Sequence, residues 1–333
     1  MKALQIIGYG DVEKQLKVNN IDKPKVSDNK VLIEVHGASV NPIDYKIVQG
    51  ALKQLNKLEF PAPIGFDVAG EIVEVGRNVK DFKVGDQVYS RVPTNEPGSI
   101  AEYIAVDSTV VTLKPQNVSY NEAAGFPLVG LTTIQAFNWA KLKKGDKVLI
   151  HAGSGGIGTF AIQYAKSQGA FVYTTTSTKN VKWVKELGAD VVIDYKKENY
   201  LDVVKDVDIV YDTLGGGYTD DAFKVIKVGG SVASLVGAID KETAVELGLN
   251  PVFRFVLSLG AKKVMKASKS KEARYKMILM SPNKEQLDKI TTLVQDGKIK
   301  PIIDKTFSLD KAIDALLYQK SGRAKGKIIV QVR

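Results

Sequence analysis

The segment His151-Ala152-Gly153-Ser154-Gly155-Gly156-Ile157-Gly158 constrains this chain more than any other. It follows an apolar run, Lys147-Val148-Leu149-Ile150, and precedes a stretch of helical character from Thr159 to Gln168. Gly153, Gly155 and Gly158 keep the G-x-G-x-x-G spacing. Gly153 permits a tight turn, Gly155 lets the backbone approach a pyrophosphate, and Gly158 lets the helix pack close to the strand. The helix N-terminus adds free N–H groups and positive potential, so Ser154, Gly156 and Ile157 join the three glycines as expected cofactor contacts. The competing reading is a glycine-rich turn with no ligand. The strand–turn–helix context within a run of βα units favours a dinucleotide.

The phosphate load of that dinucleotide is read at the end of the second strand. An NAD site places Asp or Glu there to grip the ribose 2′-hydroxyl. This chain reads Thr174-Thr175-Thr176-Ser177-Thr178-Lys179, and no acid occurs between Gly158 and Glu186. Hydroxyls and a lysine hold a 2′-phosphate through charge-assisted hydrogen bonds, where a carboxylate would repel it. NADPH is therefore the expected cofactor, with Thr176, Ser177 and Lys179 at its 2′-phosphate. Tyr195, after the third strand, either lies beside the same phosphate or packs at the strand end.

At 333 residues the chain is long for one core and predicts two domains. Residues 1–122 alternate short apolar runs with turns, as in Val31–Val35 and Glu71–Val75, and predict a β-rich domain. From 123 to 298, strands at 147–152, 170–175, 190–194, 207–212 and 231–236 alternate with helical stretches, which predicts an α/β doubly wound parallel sheet. Ser281-Pro282-Asn283 reads as a helix start with Pro282 in the first turn. After about 298, Pro301-Ile302-Ile303 and Lys327-Ile328-Ile329-Val330 return to β character, so 299–333 is expected to rejoin the first domain.

Bulk properties exclude little and point one way. No run of about 18 apolar residues predicts a membrane span. The opening Met1–Ile7 reads as a strand, without the basic region and cleavage site of a secretory signal. With no cysteine, disulfides and thiolate metal sites are excluded, and a cytoplasmic location is the simplest expectation. Net charge is +10, with Lys262, Lys263, Lys266, Lys269, Lys271, Arg274 and Lys276 close together. A solvated helix and loop surface is the expected role of that stretch; nucleic-acid binding is not expected.

Several further segments occur together: Val40-Asn41-Pro42-Ile43-Asp44-Tyr45, Gly65-Phe66-Asp67, the glycine loop, Leu187-Gly188-Ala189-Asp190 and the terminal Gly326-Lys327-Ile328-Ile329-Val330. Their order and spacing resemble the quinone and enone oxidoreductase group of the medium-chain dehydrogenase/reductase superfamily, over essentially the whole chain. The resemblance implies a GroES-like β-rich domain built from both chain ends, with a Rossmann domain inserted. Zinc alcohol dehydrogenases of that superfamily carry a Cys ligand where Asn41 stands and a His ligand where Phe66 stands. They also carry a Cys-rich lobe that is absent between Val88 and Ile100, so no metal is expected. The two histidines, His36 and His151, read as structural.

By the same resemblance the nicotinamide lies between the domains, with Asn41, Asp44 and Tyr45 as catalytic residues and Phe66 and Asp67 in the substrate pocket. Thr132, Leu235, Val236, Gly237, Lys325 and Lys327 complete the cofactor contacts, and a homodimer formed through the Rossmann domain is implied. The expected activity is zinc-free hydride transfer from NADPH to a small conjugated substrate, a quinone or an α,β-unsaturated carbonyl. Two alternatives stay open: reduction of acrylate-type acids, with Lys46 or Arg254 at the carboxylate, and a non-catalytic NADPH- and nucleic-acid-binding role.

Overall fold

The computed structural model describes residues 1–51, 53 and 58–333. The chain divides into two units, Met1–Leu131 with Ser281–Arg333, and Thr132–Met280.

The first unit is built on Lys30–Val40, a strand so rich in apolar residues that it is buried along nearly its whole length. It pairs antiparallel with Asp67–Val75, Tyr103–Asp107 and the terminal strand Lys327–Gln331 within a seven-stranded sheet. The register Ile328↔Val40 brings the chain's last strand beside its first long one, and carries Lys327 to the level of Asn41. A helix, Pro42–Val48, begins directly after this strand with Asn41 at its N-cap and Pro42 in its first turn.

The unit boundaries differ from the expected 122 and 298, because residues 123–131 and 281–298 group with the first unit. The helix Lys284–Gln295 explains the second difference. It buries Leu287, Ile290, Leu293 and Val294, while the Tyr89 hydroxyl donates to the Leu287 carbonyl at 2.7 Å and Thr112 bonds Asp288. Its N-cap is Asn283, whose side chain accepts from the Gln286 N–H, so Pro282 lies just outside the helix and not in its first turn.

The second unit is a six-stranded, wholly parallel sheet. Across the sheet the strands run Val191–Asp194, Phe171–Thr176, Lys147–Ile150, Val207–Asp212, Ile226–Ser234 and Arg274–Met277. In chain order this is 3-2-1-4-5-6, the doubly wound arrangement whose order reverses between first and fourth strands. The fifth strand starts at Ile226, earlier than expected, and the sixth lies inside the basic stretch. Lys276 hides that strand from a hydropathy reading: it is nearly buried and pairs with Glu242 and Glu246. The helix Pro251–Ser270 buries Ala261, Val264 and Ser268 against this unit.

Candidate functional site

Apart from Thr132, which lies on the helix Pro127–Ala140, the expected cofactor residues of the second unit gather at one edge of its sheet. The first strand ends at Ile150 and runs into the glycine loop; the second ends at Thr176, the third at Asp194 and the fifth at Ser234. Ser177, Tyr195 and Leu235-Val236-Gly237 therefore sit just past the carboxyl ends, where open α/β sheets bind ligands.

Within the loop the glycines have different causes. A methyl group on Gly158 would lie 2.3 Å from the Ala152 carbonyl oxygen and 2.7 Å from Gly153 Cα, so the fold itself requires glycine there. Gly153 is similarly closed, by the Thr174 hydroxyl at 2.2 Å. Gly155 is not: a methyl group would meet only the Ala152 oxygen, at 3.4 Å, and its φ of −83° suits any residue. Neither strain nor packing asks for glycine at 155. Gly155 stands at the N-cap of the helix Gly156–Ser167 and leaves the backbone N–H groups of that terminus uncovered by any side chain.

At the second strand's end, the Thr176 hydroxyl is buried with no partner among the described residues. Ser177 and Ser154 are half-buried, and Lys179 is exposed on the turn Thr178–Asn180. Asn180, not anticipated from the sequence, is buried between the two serines; its Nδ2 donates to Ser154 Oγ at 3.2 Å and Ser177 Oγ at 3.1 Å. Tyr195 is half-exposed, with the Lys196 ammonium 5.3 Å from its ring centroid. Thr132 is buried. The Lys325 N–H is bonded to Asp304, and a side chain at 237 would collide with the Tyr275 hydroxyl.

In the first unit, Asn41, Asp44, Phe66, Asp67 and Lys327 come together, but as a closed interior cluster and not as an open pocket lining. The side chains of Asn41, Asp44, Phe66 and Asp67 have essentially no solvent exposure. Asp67 accepts from Ser39 at 2.8 Å, from Asn41 Nδ2 at 2.9 Å and from the Leu128 N–H at 2.9 Å. The Lys327 ammonium donates to Asn41 Oδ1 and lies 3.6 Å from Asp67. These bonds use the Asn41 amide and the Lys327 ammonium, the groups expected at substrate and cofactor. Buried polar groups must find partners, and here they find one another. Tyr45 is the expected catalytic residue that keeps partial exposure.

The electrostatics of the cluster follow from burial. Asp44 accepts from the Asn41 N–H at 2.6 Å, and its Oδ1 has no partner among the described residues. Burial drives its carboxyl up to about 7, against the smaller opposing effect of that N–H. Arg91, which the sequence reading missed, is buried beside Phe66, its guanidinium 4.8 Å from the ring centroid. Burial brings it down to about 10, with Asp67 and Asp44 opposing. Lys327 is also lowered by burial.

The histidines take packing roles. His151 meets Tyr200 and Tyr218 edge-on and is held near 4 by burial, so it is neutral at physiological pH. His36 stacks on Tyr120. The basic stretch is partly consumed: Lys263 pairs with Asp220, Lys276 with two glutamates, and Arg274 lies over Trp139. No helix among the described residues is long and apolar enough to cross a membrane.

Comparison with known proteins agrees with this geometry. Residues 27–116 match the alcohol dehydrogenase GroES-like domain family, and 187–330 match the family described as zinc-binding dehydrogenase. A 2-methylene-furan-3-one reductase of Solanum lycopersicum is 36% identical over 99% of this chain and 79% of its own length. An NADPH-dependent alkenal/one oxidoreductase, chloroplastic, of Arabidopsis thaliana matches at the same identity and coverage. The solved quinone oxidoreductase of Coxiella burnetii superposes with a TM-score of 0.87 at 34% identity, covering 100% of this chain and 99% of that one. The chain belongs to the quinone and enone oxidoreductase group of the medium-chain dehydrogenase/reductase superfamily.

Proposed function

We propose that this protein is an NADPH-dependent reductase of quinones or α,β-unsaturated carbonyls that works without zinc. The observation that carries the cofactor half is Gly155, whose missing side chain neither fold nor backbone explains. The relatives named as alkenal/one and furanone reductases support the substrate half.

NADPH, when bound, supplies the hydride. The chain's own residues bind and orient. The glycine loop and the N-terminus of the helix Gly156–Ser167 hold the pyrophosphate, and Ser154, Ser177, Lys179 and Tyr195 hold the 2′-phosphate. Tyr45 is the donor toward the oxygen that gains charge when hydride reaches a conjugated acceptor. Asn41, Asp44, Asp67 and Lys327 form a fixed buried polar layer in the same unit. An enolate or hydroquinonate spreads its charge over a π-system, so one hydrogen-bond donor suffices where an alkoxide would need a stronger electrophile.

Zinc independence is supported by charge as well as by ligand chemistry. Where zinc relatives hold their metal, this chain has Asn41 and Phe66, and the same interior holds the Lys327 and Arg91 cations. The Asp67 carboxylate there is already engaged by Lys327, Asn41 and Ser39, so a divalent cation would meet two buried cations and a carboxylate that has partners. The test is NADPH consumption, with NADH in parallel, against quinones, enones, unsaturated acids and alcohol/ketone pairs in the presence of a chelator. Chelator-insensitive reduction of quinones or enones is expected; turnover confined to alcohol/ketone pairs, or abolished by the chelator, refutes the proposal.

A homodimer and a cytoplasmic location belong to the same reading. Val252, Phe255, Val256 and Leu259 recur at i, i+3, i+4 and i+7 on the helix Pro251–Ser270 and are all more than half exposed, on the face away from Ala261 and Val264. Such a stripe supports burial against a second copy. Location is checked by fractionating cells that express the tagged chain.

A further inference from the structure

Asn180 lies between two hydroxyls that sequence reading treats as independent. Its side-chain amide has a fixed orientation, because the indole Nε1 of Trp183 lies 3.3 Å from Oδ1 and an indole N–H is a donor only. The carbonyl end therefore faces Trp183, and the NH2 end faces Ser154 and Ser177, donating one hydrogen to each. Both serine oxygens are acceptors in these bonds, and their own protons must point elsewhere. Neither hydroxyl donates to a protein acceptor among the described residues. One serine belongs to the glycine loop and the other follows the second strand, so the two free protons lie at the strand end where nucleotide-binding sheets of this kind read the ribose 2′ substituent.

We propose that Asn180 is the positioning residue that sets coenzyme preference, by turning the Ser154 and Ser177 hydroxyls outward as a paired donor for a phosphate monoester. This rests on the NADPH reading above and adds its cause. A 2′-phosphate offers only acceptors and meets two aligned donors beside the Lys179 charge. A bare 2′-hydroxyl wants an acceptor for its own proton, and the second strand ends in Thr176-Ser177 without the carboxylate that would provide one.

The deciding variant is Asn180→Asp. It keeps size and keeps an acceptor for Trp183, but the serines now donate inward to its carboxylate and a negative charge is added. The kcat/KM for NADPH should fall on the order of 100-fold, chiefly through KM, as two charge-assisted bonds are lost. That for NADH should stay within about threefold, since a neutral 2′-hydroxyl accepts from a serine proton turned outward or donates to a serine oxygen whose proton is turned inward. Affinity for 2′,5′-ADP should fall in parallel while that for 5′-AMP holds. Trp183→Phe, which frees the amide to rotate, should lower NADPH preference by a smaller factor. Equal loss with both coenzymes would make Asn180 merely structural and overturn the proposal, as would unchanged NADPH preference in Asn180→Asp. A wild-type protein that binds 5′-AMP as tightly as 2′,5′-ADP would instead refute the coenzyme reading on which the proposal rests.

Discussion

Gly155→Ala separates a glycine kept for the fold from one kept for a ligand. The added methyl meets only one protein atom within ordinary contact distance, the Ala152 oxygen at 3.4 Å, and the backbone at φ −83° accepts alanine without strain. Folding stability should therefore hold or rise slightly, by about 0.4–1 kcal/mol, since alanine restricts the unfolded chain more than glycine does. The same methyl occupies the space through which a pyrophosphate reaches the helix N-terminus. Losing one charge-assisted bond costs about 1.5–3 kcal/mol, so NADPH Kd should rise roughly 10- to 150-fold. Gly158→Ala is the contrast: its methyl would sit 2.3 Å from a carbonyl oxygen, and overpacking of this kind costs about 1–3 kcal/mol or more. Urea unfolding and calorimetric NADPH titration of both variants give the two readouts. Weakened stability in Gly155→Ala with unaltered NADPH affinity would refute the assignment of that glycine to the cofactor.

Tyr45→Phe should lower kcat for enones by about 10- to 100-fold with little change in NADPH affinity, measured by steady-state kinetics; full activity would remove its hydroxyl from the reaction. Asp44 gives a pH test. Its folded carboxyl, near 7 instead of 3.8, holds a proton that the unfolded chain has released, so stability falls as pH rises from about 4 to about 7 and is level above that. The full difference is about 4 kcal/mol. Asp44→Asn should be the more stable form at pH 8 and should lose this part of the slope, read from urea midpoints at pH 5 and pH 8; parallel curves would contradict it. A Phe255→Ser/Leu259→Ser double variant should shift a dimer toward monomer by sedimentation equilibrium, and an unchanged mass would place the interface elsewhere.

The sheet of the nucleotide unit was legible because its first five strands are apolar runs punctuated by turns. The sixth was not, because Arg274 and Lys276 disguise it, their charges compensated by Trp139, Glu242 and Glu246 from other parts of the chain. The carboxyl-edge residues were legible because glycine spacing and the missing acid report backbone geometry and charge directly. Asn180 was not, since its role depends on the side-chain orientation that Trp183 imposes. In the first unit, motif matching found Asn41, Asp44, Asp67 and Lys327 but not their mutual satisfaction. That needs the register Ile328↔Val40, which brings together residues nearly the whole chain apart. Arg91 left no sequence signal, because an arginine at a strand end usually faces water.

The most direct test of the account follows the hydride. The chelator-treated enzyme is given NADPH carrying deuterium at the transferable C4 position and a simple enone, and the product is read by NMR. Deuterium at the carbon β to the carbonyl, with the carbonyl retained, is the predicted result. Deuterium on the carbonyl carbon of an allylic alcohol, or a reaction that appears only when zinc is restored, would contradict metal-free conjugate reduction.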